Sequence, residues 1–238
     1  MFLHCQAFET DYLKDREAGF AGTRVTVSAD PGRLRKKTAR TCCQIQNTIL
    51  ASGIKMVTVK YYDSPLGLIF LAADDTGLIG LWFEGQKYFA QTLTRNYQTG
   101  STPILESAVR WLRGYFSGEK PSFTPPLHLI GTDCQIAVWK RLLTVPYGTT
   151  ATYADIGKRV AAQRTGFRPS PQAVGGMMSQ NPISIIIPSH RVVPANGSLT
   201  GYAGGVIHRA RLLMLEKTDM KSLLIPASVA DLQPLGAA

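Results

Sequence analysis

Strand-like alternation of apolar and polar residues begins abruptly at Met56, and the positions before it follow no sustained period. Met56 to Tyr62, Leu68 to Ala73 and Leu78 to Phe83 are strand-like runs divided by the turn sequences Ser64-Pro65-Leu66-Gly67 and Asp74-Asp75-Thr76-Gly77. They predict a small antiparallel sheet. Leu105, Ala108, Val109, Leu112, Tyr115 and Phe116 recur at the spacing of an amphipathic helix whose apolar face covers that sheet. The proline-bounded stretch Pro121 to Pro126 then reads as a linker.

Helical signals dominate beyond it. Asp133 is placed to cap a helix through about Leu143, which Val145-Pro146-Tyr147-Gly148 ends. Thr152 with Asp155 gives a capping-box signal for a helix from Tyr153 to about Ala161. Ser170 followed by Pro171 is a start signal for a helix reaching about Ser179. Two short helices joined by a turn suggest a helix-turn-helix. The run Ile185-Ile186-Ile187 reads as an apolar strand entering Pro188, which presents Ser189, His190 and Arg191 together at its end.

The pattern divides the chain into an N-terminal extension (1–55), an α/β subdomain (56–126), a helical subdomain (127–218) and a tail rich in small residues (219–238). The extension carries the basic cluster Arg33, Arg35, Lys36, Lys37 and Arg40. A DNA-binding arm is one reading of it. A loosely ordered extension, or translation begun upstream of Met56, fits the abrupt pattern change better.

A formal charge of +10 and a pI near 9.6 favour a polyanionic partner. No apolar run reaches the roughly 20 residues that span a bilayer, and the first residues lack a signal core. Cys5, Cys42, Cys43 and Cys134 show neither metal-ligand spacing nor a disulfide framework. A cytoplasmic protein without a membrane partner is expected.

Four separated motifs occur in order: Tyr61-Tyr62-Asp63-Ser64-Pro65-Leu66-Gly67, Cys134-Gln135-Ile136-Ala137-Val138-Trp139, Val145-Pro146-Tyr147-Gly148, and the segment from Asn181 through Pro188-Ser189-His190-Arg191 to Gly201-Tyr202-Ala203-Gly204-Gly205. From Met56 to Lys217 the chain resembles the O6-alkylguanine-DNA alkyltransferases, the methylated-DNA–protein-cysteine methyltransferases. That family has Pro-Cys-His-Arg where this chain has Pro-Ser-His-Arg.

The resemblance implies a ribonuclease-H-like α/β subdomain followed by an α-helical subdomain with a helix-turn-helix that binds DNA and holds the reaction centre. It implies a DNA repair protein acting as a monomer without cofactor or metal, with double-stranded DNA containing O6-alkylguanine as partner. The second helix of the motif would enter the minor groove with Gln172, Ala173, Gly175 and Gly176, and the damaged base would be flipped out behind it. Arg191 would add charge on the DNA side. A helix kink or close helix packing is the competing reading of Gly175-Gly176.

The implied catalytic set is Ser189 at the nucleophile position, His190, Glu216, Tyr153 as the residue assisting extrusion and proton transfer, and Asn181 as the hinge. An ordinary core aromatic is the alternative for Tyr153. Tyr202, Ala203 and Gly204 would line the base pocket. Two departures stand out. Gln172 replaces the family's usual arginine, and Arg164 or Arg168 would have to supply that charge. Ser189 replaces the alkyl-accepting cysteine.

Serine ionises far less readily than a thiol, and oxygen is a poor nucleophile toward saturated carbon. Alkyl transfer is therefore expected to be abolished or very slow, while lesion recognition survives. A serine-hydrolase pair is disfavoured, since neighbours on a strand point apart and no Gly-x-Ser-x-Gly elbow is present. Three functions compete: a single-turnover methyltransferase with residual transfer to Ser189, an alkyltransferase-like lesion sensor, and a helix-turn-helix transcription regulator. Small Ala173, Gly175 and Gly176 argue against the last, which needs side chains that read base edges.

Overall fold

The computed structural model describes residues 56–93, 96–163, 166–227 and 232. The 1–55 extension with its basic cluster, Cys5, Cys42 and Cys43, as well as Arg164 and half of the tail, lie outside the described residues. From Lys55 onward the chain forms one compact unit.

Strands β1 (Val57–Ser64), β2 (Gly67–Ala73) and β3 (Leu78–Phe83) pair antiparallel, and a short β4 (Tyr97–Thr99) adds in parallel beside β1. The order is β3-β2-β1-β4. Pleating sends Ile69, Leu71 and Ala73 to one face and Phe70 and Ala72 to the other, and each set joins a separate buried cluster. Both faces being covered explains why β2 and β3 read as nearly unbroken apolar runs. Helix α1 (Pro103–Phe116), capped by the Thr102 hydroxyl, covers the first face with Leu105, Ala108, Val109 and Leu112. Strand β4 has three residues and one partner, too little pattern for the sequence to reveal.

The outer edge of β3 is where the sheet positions the site. Leu78 exchanges backbone hydrogen bonds with Pro126 and His128, and Leu81 does so with Pro182 and Ser184. The linker and the start of the reactive segment thus cover the edge that would otherwise stay unpaired. Buried Asp74 adds a hydrogen bond with His128, 2.6 Å long, at the first of these crossings.

Helix α2 (Asp133–Leu142) is capped by Thr132 rather than by Asp133, because the Thr132 hydroxyl and the Gln135 side chain form a reciprocal capping box. The expected box at Thr152 and Asp155 opens α3 (Tyr153–Ala161), and Ser170 with Pro171 opens α4 (Pro171–Ser179). Helices α3 and α4 meet where Gly157 faces the Pro169 carbonyl; an added Cβ there would lie 3.2 Å from that oxygen. Trp139 on α2 donates to the Met177 carbonyl at 2.9 Å and steadies α4 from behind.

Ile185 to Ile187 does not form the expected strand. The segment turns tightly with Ile185 at φ +67°, a left-handed conformation unusual for a β-branched residue. A single 3₁₀ turn carries Ser189–Arg191, and β6 (Val192–Val193) then pairs in parallel with β5 (Ala151–Thr152). Helix α5 (Val206–Leu215) follows the glycine-rich loop. The start of the tail packs down, with Leu223 buried beside Val193, Leu199 and Leu213.

Candidate functional site

Asn181 organises the reactive turn. Its Oδ1 accepts from Ile183 N at 3.0 Å, and its Nδ2 donates to the Ile187 carbonyl at 2.9 Å and to Ser189 Oγ at 3.1 Å. All three bonds are buried, so they hold a backbone whose left-handed Ile185 costs on the order of 1–3 kcal/mol. The result is a Ser189 side chain fixed in place and almost fully enclosed.

Behind it lies a buried charge cluster centred on Glu216. Oε1 accepts from His190 Nε2 at 2.8 Å, Arg191 Nη2 at 2.9 Å and Tyr115 Oη at 2.6 Å. Oε2 accepts from Arg191 Nε at 2.8 Å and the Gly148 amide at 3.2 Å. Burial pushes the Glu216 carboxyl up, but His190 and Arg191 outweigh it and hold the group far below the usual carboxylate range. Burial holds His190 below the ordinary imidazole range, with Glu216 opposing. His190 Nδ1 is buried without a protein partner, which leaves its lone pair free to take a proton when Nε2 carries one toward Glu216. Tyr115 was not among the expected site residues. As one of several apolar-face residues of α1 it gives no sequence sign that its hydroxyl leaves the core for a carboxylate.

Arg191 is corrected by this geometry. Expected on the DNA side, it is buried against Glu216, donates through Nη1 to the Val145 carbonyl at 2.8 Å, and lies 5.6 Å from the Tyr147 ring centroid. Its charge is used inside the protein.

A small, narrow pocket opens over Ser189, lined also by Tyr153, Gly175, Gly201, Tyr202 and Ala203. The elements that sequence places far apart thus meet around one small volume. Gly204 lies behind the wall, and its lack of a side chain is required: an added Cβ would come within 2.7 Å of the Tyr202 ring and 3.1 Å of Phe83. Burial pushes the Tyr202 phenol up to about 12, so it stays protonated. Tyr153 packs partly on the core while facing the pocket.

The outer side of α4 presents Gln172, Ala173 and Gly176 to solvent, whereas Val174 and Met178 point inward. A Cβ at Gly176 would meet nothing within 4 Å, and at Gly175 it would make only ordinary contact with Tyr153. Close helix packing therefore does not explain these glycines. Arg168 is exposed in the loop before α4.

Ser189 and His190 form no hydrogen bond with each other: Ser189 Oγ is bonded by Asn181, and His190 turns Nε2 to Glu216. A hydrolase pair is absent, though for a different reason than strand alternation. Cys134 is half-buried on α2, away from the pocket lining. Among the described residues no three His, Cys, Asp or Glu side chains are grouped to hold a metal ion, and no helix is long and apolar enough to cross a membrane.

Comparison with known proteins matches both halves of the compact unit. Residues 57–129 fit the ribonuclease-like domain of 6-O-methylguanine DNA methyltransferase, and residues 133–218 fit its DNA binding domain. A methylated-DNA–protein-cysteine methyltransferase of Mycobacterium tuberculosis is 40% identical over 163 residues, covering 68% of this chain and 94% of that protein. The chain belongs to the 6-O-methylguanine DNA methyltransferase family. A family member from Methanosarcina barkeri is 37% identical over 178 residues, covering 68% of this chain and 99% of its own length. The crystal structure of Mycobacterium tuberculosis OGT in complex with DNA superposes with a TM-score of 0.57 at 39% identity, covering 68% of this chain and 92% of that one. The two-part architecture, a ribonuclease-like sheet domain and a helical DNA-binding domain, is the family's.

Proposed function

We propose that the chain binds duplex DNA with α4 in the minor groove, α3 and α4 acting as a helix-turn-helix, and receives O6-alkylguanine flipped into the pocket over Ser189. The observation that carries this reading is the continuity of surfaces. The exposed small face of α4 adjoins a groove lined by Tyr153, Gln172, Gly175 and Gly201, and three of these residues also line the Ser189 pocket. A base rotated from the groove has a short path inward. Gln172 sits at the mouth, able to hydrogen-bond an orphaned base without the stacking plane of a guanidinium.

Ser189 stands at the position of the family's alkyl-accepting cysteine. Glu216 and His190 suit the removal of a proton from residue 189, yet a serine hydroxyl yields little alkoxide and a hard oxygen nucleophile. Transfer is therefore abolished or very slow. The protein recognises the lesion as a monomer in the cytoplasm, without a cofactor, in the manner of a sensor. A transcription regulator is the weaker reading, because the outer face of α4 offers mainly glycine and alanine to a groove.

Two measurements test this. Competition binding should favour duplexes with O6-methylguanine over unmodified ones, and equal affinity for both would remove the lesion-recognition claim. Intact-protein mass spectrometry after exposure to alkylated DNA should find no added alkyl group. A stoichiometric mass gain on Ser189 would instead make the chain a working single-turnover methyltransferase.

A further inference from the structure

Arg209 on α5 is a buried cation that the Glu216 cluster does not use. It is 1% exposed, and among the described residues it has no carboxylate within ion-pair distance. Instead its guanidinium donates to four backbone carbonyls: His190 at 3.2 Å, Leu199 at 3.3 Å, Thr200 at 2.9 Å, and Val192. These carbonyls belong to the turn that carries Ser189 and to the loop that leads into Gly201 and Tyr202. Arg209 also lines the Ser189 pocket and lies 5.9 Å from the Tyr202 ring centroid.

A guanidinium is costly to bury, and carbonyl dipoles only partly replace water. Around the site Arg191 balances Glu216, and burial keeps His190 neutral, so Arg209 leaves one positive charge in excess beside the pocket. A neutral amide side chain would avoid the cost of a buried charge, at the loss of some of these hydrogen bonds. A cation is suited to a site where negative charge arises.

We propose that Arg209 is a positioning residue whose charge makes the pocket favour an anion at residue 189 and on a departing base. This rests on the functional reading above. In transfer to a thiolate at 189, the sulfur–carbon bond forms as the O6–carbon bond breaks. The bonding pair moves to O6, and the proton given up by the thiol ends on the base. Both the attacking and the departing group carry negative charge beside Arg209.

The test uses Ser189→Cys protein without DNA, so that it is independent of lesion binding. The rate of thiol alkylation by iodoacetamide is followed against pH by mass spectrometry. Arg209→Met and Arg209→Gln in that background should raise the midpoint of the profile by about one unit, a tenfold loss of thiolate at pH values below it. Arg209→Lys should hold the midpoint near that of the arginine protein even if it melts at a lower temperature. Equal midpoints in folded arginine, lysine and neutral variants would reduce Arg209 to a staple and overturn the proposal. Should the neutral variants fail to fold, Ser189→Asp and Ser189→Asn with Arg209 intact decide instead. The aspartate protein should melt no lower than the asparagine one, and a much lower melting temperature would mean that no such field exists. Failure of lesion binding would count against the functional reading, not against this charge.

Discussion

Arg191 clasps Glu216 with two nitrogens, Nε on Oε2 at 2.8 Å and Nη2 on Oε1 at 2.9 Å, in a place where the carboxylate is fully enclosed. The pair is bidentate and desolvated, and His190 shares its Oε1. Such an array is costly to assemble and far costlier to break on one side.

Replacing Arg191 with alanine should therefore destabilise the protein by about 3–5 kcal/mol, the range for leaving a buried charge without its partner. Denaturant unfolding measures this. The salt dependence of DNA binding by the folded fraction should keep its slope, since Arg191 neutralises Glu216 and not a phosphate. A shallower slope with little loss of stability would return Arg191 to the DNA face.

Acid should weaken the fold in two stages. Burial depresses His190 in the folded state, so the unfolded chain takes up the extra proton first, and stability falls as pH drops below the ordinary imidazole pKa of about 6.5. Glu216 is also depressed in the fold, so its contribution is complete above the ordinary carboxylate pKa and is lost as pH falls below it. Melting temperatures between pH 7 and 5 should decline less in His190→Gln than in the parent. An equal decline in both would assign the first stage to other groups.

The three main strands, α1 and the three capped helices of the second half were legible because period and capping chemistry are local, although α2 is capped by Thr132 one residue before the expected Asp133. Thr152 with Asp155 and Ser170 with Pro171 act in the structure as their spacing suggests. Ile185 to Ile187 misled for a physical reason: an apolar run identifies burial, not backbone geometry, and the turn is imposed by the side chain of Asn181. Arg191 misled in the same way, because charge suggests exposure until a buried carboxylate is in view.

Gly176 offers a clean probe of the DNA face. An added side chain meets nothing in the protein, and glycine in a helix is less favourable than alanine by about 1 kcal/mol. Gly176→Leu should thus fold at least as well as the parent yet bind duplex DNA at least about tenfold more weakly, through exclusion from a narrow groove. Fluorescence anisotropy at fixed salt reads the effect. Undiminished affinity would show that α4 does not enter the groove.

A chain beginning at Met56 should fold and bind alkylated duplexes much as the full chain does, since the family match starts at residue 57 and the compact unit at Lys55. Circular dichroism and binding at matched ionic strength provide the comparison. Insolubility, or loss of most of the DNA affinity, would assign residues 1–55 a structural or DNA-binding role.

Ser189→Cys should restore alkyl transfer. Asn181 already fixes the side chain at 189, Glu216 already holds His190 Nε2 and leaves Nδ1 unpartnered, and Tyr153 with Gly201 to Ala203 already lines the pocket. What is missing is a thiol, which ionises near pKa 8.5 unperturbed and attacks saturated carbon well. The expected product is one alkyl group per molecule, on the new cysteine, with no second turnover because nothing in the site removes an alkyl group from sulfur. Gln172 in place of arginine should slow extrusion of the base and hence the rate, so Gln172→Arg in the same background should accelerate uptake. Tryptic mass mapping after incubation with an O6-methylguanine duplex locates the group. A folded Ser189→Cys protein that binds the lesion yet gains no mass would mean that the site has diverged in more than its nucleophile.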